Sequence, residues 1–171
     1  MTDRTPEPGF DPDPALRLLV TNGVRFVLIG GLAARQHGST TVTNDLDVCY
    51  ERSPENAERL AASLREMQAR LRGVAEEVPF ILDARTIRNG DSFTFTTAYG
   101  SIHILATPSG TSGYPDLAAG AISVDFGGYV VDVVALDDLI RMKRAAGRLK
   151  DRIEVENLIA LRDLLTERGE L

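Results

Sequence analysis

Apolar residues in this chain follow two different periods. From Arg25 to Ile29 they run almost without interruption, as in a strand buried on both faces. From Asn44 to Tyr50 they alternate with acids, and from Ser92 to Thr97 Phe93 and Phe95 alternate with hydroxyl residues. Tyr99-Gly100-Ser101 then turns the chain into a further strand, Ile102 to Leu105, which predicts a hairpin. A second hairpin is expected from Ala121–Asp125 and Tyr129–Val134 around Gly127-Gly128.

The helical period appears in four places. Pro14 opens a short helix, Ala15 to Asn22, that Gly23 closes. Leu32 to His37 reads as a second, ended by Gly38. Ser53 is placed to cap a third, Pro54 to Leu71, whose apolar stripe is Ala57, Leu60, Ala61, Leu64, Met67 and Leu71. Asp137 is expected to cap the final helices, Leu139 to Arg168. A mixed linker precedes Ser92, and Thr107 to Gly113 reads as a loop. This order predicts an α/β (α+β) fold, a mixed β-sheet flanked by helices with a C-terminal helical segment. Residues 1–13, with Pro6, Pro8 and Pro12, read as a disordered lead, and 14–171 as a single domain.

Composition narrows the function. A chain of 171 residues can bury a substantial core. No apolar run approaches the ~20 residues of a membrane span, and no secretory signal is expected. Cys49 has no partner cysteine, so a reducing cytoplasm is the expected compartment. A net charge of −6 argues against a broad nucleic-acid surface, leaving Arg141 to Arg152 as the one basic cluster.

The candidate chemistry begins with Asp45 and Asp47. In a strand they share one face, with Leu46, Val48 and Tyr50 on the other. Side-by-side carboxylates repel, and a divalent cation is what best holds them together. Gly30-Gly31 follows a strand and precedes a helix, an arrangement that presents backbone N–H groups to phosphate; without the aspartates, a tight turn needing positive φ is the better account of the pair. Thr43 and Asn44 add polar groups beside the acids or cap the strand entry. If the segment from Lys143 to Asp151 is one continuous helix, Lys143, Gly147, Lys150 and Glu154 share a face, Asp151 borders it and Arg148 flanks it. That face either reaches phosphate oxygens or is simply solvated. His103, between Ile102 and Ile104, is a candidate base or ligand, or a half-buried strand histidine. His37 is expected to meet only local carbonyls, and Cys49 to pack.

Three stretches together carry a family likeness: Leu28-Ile29-Gly30-Gly31, Thr43-Asn44-Asp45-Leu46-Asp47, and Lys143 through Asp151. From about Val24 to Leu165 the chain resembles the DNA polymerase β-like nucleotidyltransferase superfamily. Within it, the chain looks like the minimal nucleotidyltransferases of bacterial toxin–antitoxin and abortive-infection systems. The resemblance implies Mg²⁺ (or Mn²⁺), a nucleoside triphosphate substrate, and nucleotide transfer to a hydroxyl on tRNA or protein, with a cognate antitoxin as partner. It implies that Asp45 and Asp47 hold the metal, that Gly30 and Gly31 face the triphosphate with Thr43 beside it, and that Lys143, Arg148, Lys150 and Asp151 complete the pocket. The chain departs from the family pattern in one place. A third carboxylate is expected on the later strand, near Ile102–Ile104, and His103 stands there. Either His103 replaces it, or Asp151 does, or the chain is a catalytically weakened nucleotide-binding or protein-interaction member of the same fold. Asp132 is an acid of the right kind on a different strand.

Overall fold

The computed structural model describes residues 10–75 and 79–171. Their strands form one mixed sheet. In chain order the strands are β1 (Phe26–Ile29), β2 (Asp45–Tyr50), β3 (Arg70–Leu71), β4 (Ser92–Thr97), β5 (Gly100–Leu105), β6 (Ile122–Asp125) and β7 (Val130–Val133). Across the sheet they lie in the order β3-β4-β5-β2-β1-β7-β6. β2 is parallel to β5 and antiparallel to β1, and β1 is parallel to β7. The helices are α1 (Asp13–Thr21), α2 (Gly30–Gln36), α3 (Pro54–Glu66), α4 (Ala84–Asn89), α5 (Tyr114–Gly120), α6 (Leu136–Ala146) and α7 (Leu149–Glu167). This is the expected α+β sheet with flanking helices. No helix among the described residues is long and apolar enough to cross a membrane.

The period-2 pattern of β2 sets the architecture. Leu46, Val48 and Tyr50 are fully buried against the core, while Asp45 is exposed and Asp47 half-buried on the other face. Further along that second face Cys49 is also buried, and its thiol donates to the Ala106 carbonyl at 3.7 Å. Burial pushes the Cys49 thiol up to about 12. The Tyr50 hydroxyl donates to the Ile87 carbonyl at 3.1 Å, which satisfies its polar end inside the core. Both predicted hairpins are present, with Thr97 opposite Gly100 and Asp125 opposite Val130.

Several elements differ from the sequence pattern. α3 ends at Glu66 rather than Leu71, because Gln68 takes φ +55° and reverses the chain. Leu71 then pairs opposite Phe95 as part of β3. The linker before Ser92 contains α4, whose cap is Asp83 accepting from the Thr86 N–H at 2.8 Å. α5 follows the Thr107–Gly113 loop, with Pro115 in its first turn. α6 begins at Leu136 with no side-chain cap, and Asp137 instead pairs with Arg162 of α7. His37 reaches a distant carbonyl, that of Val134, at 2.7 Å, not a local one. Of the N-terminal lead, residues 1–9 lie outside the described residues; Phe10 packs at the edge of the core and Asp13 opens α1.

Asn56, fully buried at the start of α3, fastens β1 to the end of β2. Its Oδ1 accepts from the Arg25 N–H at 2.7 Å, and its Nδ2 donates to the carbonyls of Arg25 and Glu51 at 2.9 and 2.7 Å. Asn56→Ala removes the partner of the Arg25 N–H and of the Glu51 carbonyl, while the Arg25 carbonyl keeps the Glu51 N–H at 3.1 Å. We expect it to cost roughly 2–4 kcal/mol, read as a lower urea midpoint at unchanged m-value. A loss under about 1 kcal/mol would mean water replaces the amide without penalty.

Candidate functional site

Ile29, the last residue of β1, lies opposite Asp47. The chain passes from β1 into α2 without a loop, through Gly30 at φ +70°. The glycines are demanded by their neighbours as well as by the turn. A Cβ on Gly30 would fall 2.2 Å from Asp47 Oδ2, and one on Gly31 would fall 2.7 Å from Thr43 Cβ. The glycine turn and the aspartate strand are therefore one packed unit.

β5 lies on the far side of β2, with His103 opposite Asp47 and Ser101 opposite Asp45. His103 Nδ1 sits 3.4 Å from Asp47 Oδ1, and its Nε2 is 2.7 Å from Ser92 Oγ on β4. Among the described residues, the Asp45 carboxylate has no ion pair or hydrogen bond, and Asp47 has no Lys or Arg partner. Two same-face carboxylates on an interior strand, with one imidazole and no lysine or arginine beside them, fit a divalent cation. The described residues hold no cluster of three or more metal-ligating side chains. A cation there would complete its shell with oxygens from a bound substrate or water, as Mg²⁺ commonly does.

The third wall comes from α6 and α7. Gly147 adopts the left-handed conformation at φ +66° and ends α6, so Lys143 to Asp151 is a helix, a break and a new helix rather than one continuous helix. The break lets Arg148 cap α7. Its backbone N–H and its guanidinium Nε both donate to Asp151 Oδ2, at 3.2 and 2.7 Å. Lys143 Nζ lies 3.7 Å from Asp151 Oδ1 and also pairs with Glu154. Asp151 is fully buried, and its carboxyl is held below the usual range chiefly by the Arg148 hydrogen bond.

These walls enclose a cavity of about 180 Å³ lined by Ile29, Gly30, Asp47, His103, Lys143 and Arg148, with Leu139 and Met142 on its apolar side. Gly30, Asp47, His103, Lys143 and Arg148 thus converge on one space. Asp45 and Thr43 stand next to it on the same strand and its approach. Lys150 is exposed and does not line it, a consequence of the helix break. Asp151 does not line it either; it anchors Lys143 and Arg148 from behind. Asp132 lies on β7 and accepts from Ser123, away from the cavity. Ser92 was not visible as a site residue in the sequence, although the Tyr99–Gly100 turn sets the register that aligns β4 with His103.

No protein-family model matches the chain, and no curated protein matches it by sequence. Solved structures do share the fold. The chain is similar to the lincosamide antibiotic adenylyltransferase LnuA in its lincomycin-bound crystal structure, with a TM-score of 0.58 and 13% identity over 87% of this chain and 94% of that one. It is also similar to a candidate nucleotidyltransferase from Thermotoga maritima, with a TM-score of 0.50 and 16% identity over 91% of this chain and 90% of that one. The architecture is nucleotidyltransferase-like.

Asp151→Ala leaves two cations facing a buried void. We expect it to destabilise the protein by roughly 3–5 kcal/mol. Because the folded pKa of Asp151 lies below its unfolded value, its contribution is fully present above about pH 4 and disappears as pH falls through the folded pKa. The gap between wild type and Asp151→Asn in urea melts should therefore narrow on acidification. A gap independent of pH would rule out this account.

Proposed function

We propose that this chain is a metal-dependent nucleotidyltransferase, moving a nucleotide from a nucleoside triphosphate to a hydroxyl. The observation that carries the reading is the pair Asp45 and Asp47, on one face of an interior strand, with no lysine or arginine partner among the described residues and with Asp47 packed against Gly30. The nucleotidyltransferase-like fold supports it.

In this reading Asp45 and Asp47 hold Mg²⁺ (or Mn²⁺). When bound, the cation neutralises phosphate charge and polarises the phosphoryl group. Gly30, which lines the cavity, would bring the backbone at the start of α2 to the triphosphate, while Gly31 makes room for Thr43 beside it. Lys143 and Arg148 face the same cavity and supply positive charge for phosphate oxygens. His103 lines the same cavity and is the candidate base for the acceptor hydroxyl in this reading. The apolar side at Leu139 and Met142 suits a nucleobase or a nonpolar acceptor.

For the acceptor, the resemblance favours RNA (tRNA) or protein, in a toxin acting beside a cognate antitoxin. The charge pattern argues for protein over tRNA. In the basic cluster Arg141 is paired with Asp116 and Asp138, Lys143 with Asp151 and Glu154, and Arg148 with Asp151. Only Arg144, Lys150 and Arg152 remain exposed there without an ion pair, too few for a strong polyanion surface. A second reading, transfer to a small-molecule hydroxyl, is favoured by the similarity to a lincosamide adenylyltransferase with lincomycin bound.

The decisive experiment offers each α-labelled nucleoside triphosphate with Mg²⁺ to tRNA, to cell protein and to lincosamides. We expect label on one acceptor class, and at least a hundredfold loss for Asp45→Asn and for Asp47→Asn at unchanged melting temperature. Equal labelling by both variants would exclude the carboxylate pair as the metal site.

A further inference from the structure

His103 is already hydrogen-bonded to a hydroxyl of this chain. Ser92 Oγ lies 2.7 Å from Nε2, and Asp47 Oδ1 lies 3.4 Å from Nδ1 on the other side of the ring. The three side chains come from adjacent strands in the order β4, β5, β2 and share one face, since Thr94 and Asp47 both lie opposite His103 and Ser92 is two residues from Thr94. A carboxylate can only accept, so the proton on the imidazole belongs on Nδ1, facing Asp47. Nε2 is then an acceptor, and the Ser92 hydroxyl donates to it. This is the relay that activates a serine nucleophile: hydroxyl, imidazole, carboxylate.

Ser92 is exposed, and its backbone is firmly held. It pairs opposite Leu105, the Ala106 N–H donates to the Asp91 carbonyl at 2.8 Å, and Arg52 donates to the carbonyls of Arg88 and Gly90 just before it. Two strand spacings, roughly 10 Å, separate β4 from the aspartates of β2, and the imidazole bridges that gap. His103 and Asp47 line the cavity. No other hydroxyl side chain among the described residues is hydrogen-bonded to His103.

We propose that Ser92 is itself a nucleotide acceptor, so that the protein nucleotidylates its own Oγ. This rests on the nucleotidyl-transfer reading above. In the step, Ser92 Oγ bonds to the α-phosphorus of the nucleoside triphosphate. The bond from that phosphorus to the bridging oxygen of the β-phosphate breaks, and pyrophosphate leaves with the electron pair. The hydroxyl proton passes to His103 Nε2, and Asp47 faces the imidazolium. The product is a nucleoside monophosphate joined to Ser92 by a phosphodiester. With its oxygen esterified, Ser92 no longer donates to His103, and the attached nucleotide stands at the cavity mouth. Self-modification therefore blocks transfer to outside acceptors.

Two measurements test this. The first needs neither metal nor nucleotide. In EDTA, the protein is treated with a fluorophosphonate and the adduct is mapped by peptide mass spectrometry. Ser92 should react, with a roughly hundredfold slower rate in His103→Ala, while Thr96→Ala, on the same strand face, changes nothing. Reaction at Ser92 that is indifferent to His103, or none at all, overturns the proposal. The second incubates the protein with each nucleoside triphosphate and Mg²⁺, without an added acceptor, and reads the intact mass. A gain of one nucleoside monophosphate mapped to Ser92, lost in Ser92→Ala and in Asp45→Asn, supports it. Transfer to an added acceptor with Ser92 unmodified overturns the proposal and leaves the nucleotidyltransferase reading standing. A Ser92 that reacts with fluorophosphonate in a protein that binds no triphosphate overturns both. Should Ser92→Ala fold poorly, Ser92→Thr retains the hydroxyl and should retain the adduct.

Discussion

Everything in this site depends on one close approach, that of the Asp47 carboxylate to the α-carbon of Gly30. A methyl group on Gly30 would overlap Asp47 Oδ2. Because Gly30 has none, β1 can turn directly into α2 while Asp47 stays in register opposite Ile29. That register fixes the direction in which Asp45 and Asp47 project, and the parallel partner β5 then places His103 beside Asp47. A change at Gly30 would disturb the turn, the acids and the imidazole together, and the left-handed backbone there adds about 1–3 kcal/mol of strain for any other residue.

The opposite wall is organised by the reverse arrangement, an acid buried behind two cations. Asp151 is removed from solvent, and its carboxyl is held below the usual range by hydrogen bonds from Arg148, with Lys143 adding charge. Buried ion pairs contribute little net stability against apolar replacements, so their value is more readily found in positioning. Here the acid aims two flexible cationic side chains at the cavity while keeping them from collapsing onto Asp45 and Asp47. The two groups of charge are of opposite sign across one small space, which is what an anionic ligand with a bound cation requires.

Period-2 stretches were the most legible part of the sequence. β2, β4, β5 and both hairpins follow from alternation and turn residues, and the face shared by Asp45 and Asp47 follows from the same rule. Helix limits were less legible wherever tertiary contacts outweighed the local pattern. The stripe of α3 continues through Met67 to Leu71, yet Gln68 reverses the chain so that Leu71 can pair with Phe95. α4 and α5, at six and seven residues, are too short to show a period. Gly147 resembled a tolerated glycine inside a helix but is the left-handed residue that ends one, which removes Lys150 from the cavity and makes Asp151 an anchor. Ser92 stayed hidden because its contact with His103 arises only across strands.

Cys49 gives the fold an additional property. It lies on β2 two residues beyond Asp47, has no exposed surface, and its thiol stays protonated because burial raises its pKa to about 12. Thiolate, not thiol, reacts with alkylating reagents and oxidants. The only sulfhydryl in the chain is therefore silent while β1, β2 and β5 remain together. Its rate of alkylation becomes an internal clock for opening of the central strands, one that can be read without introducing a label and that a ligand bridging Asp45, Asp47 and Lys143 would slow.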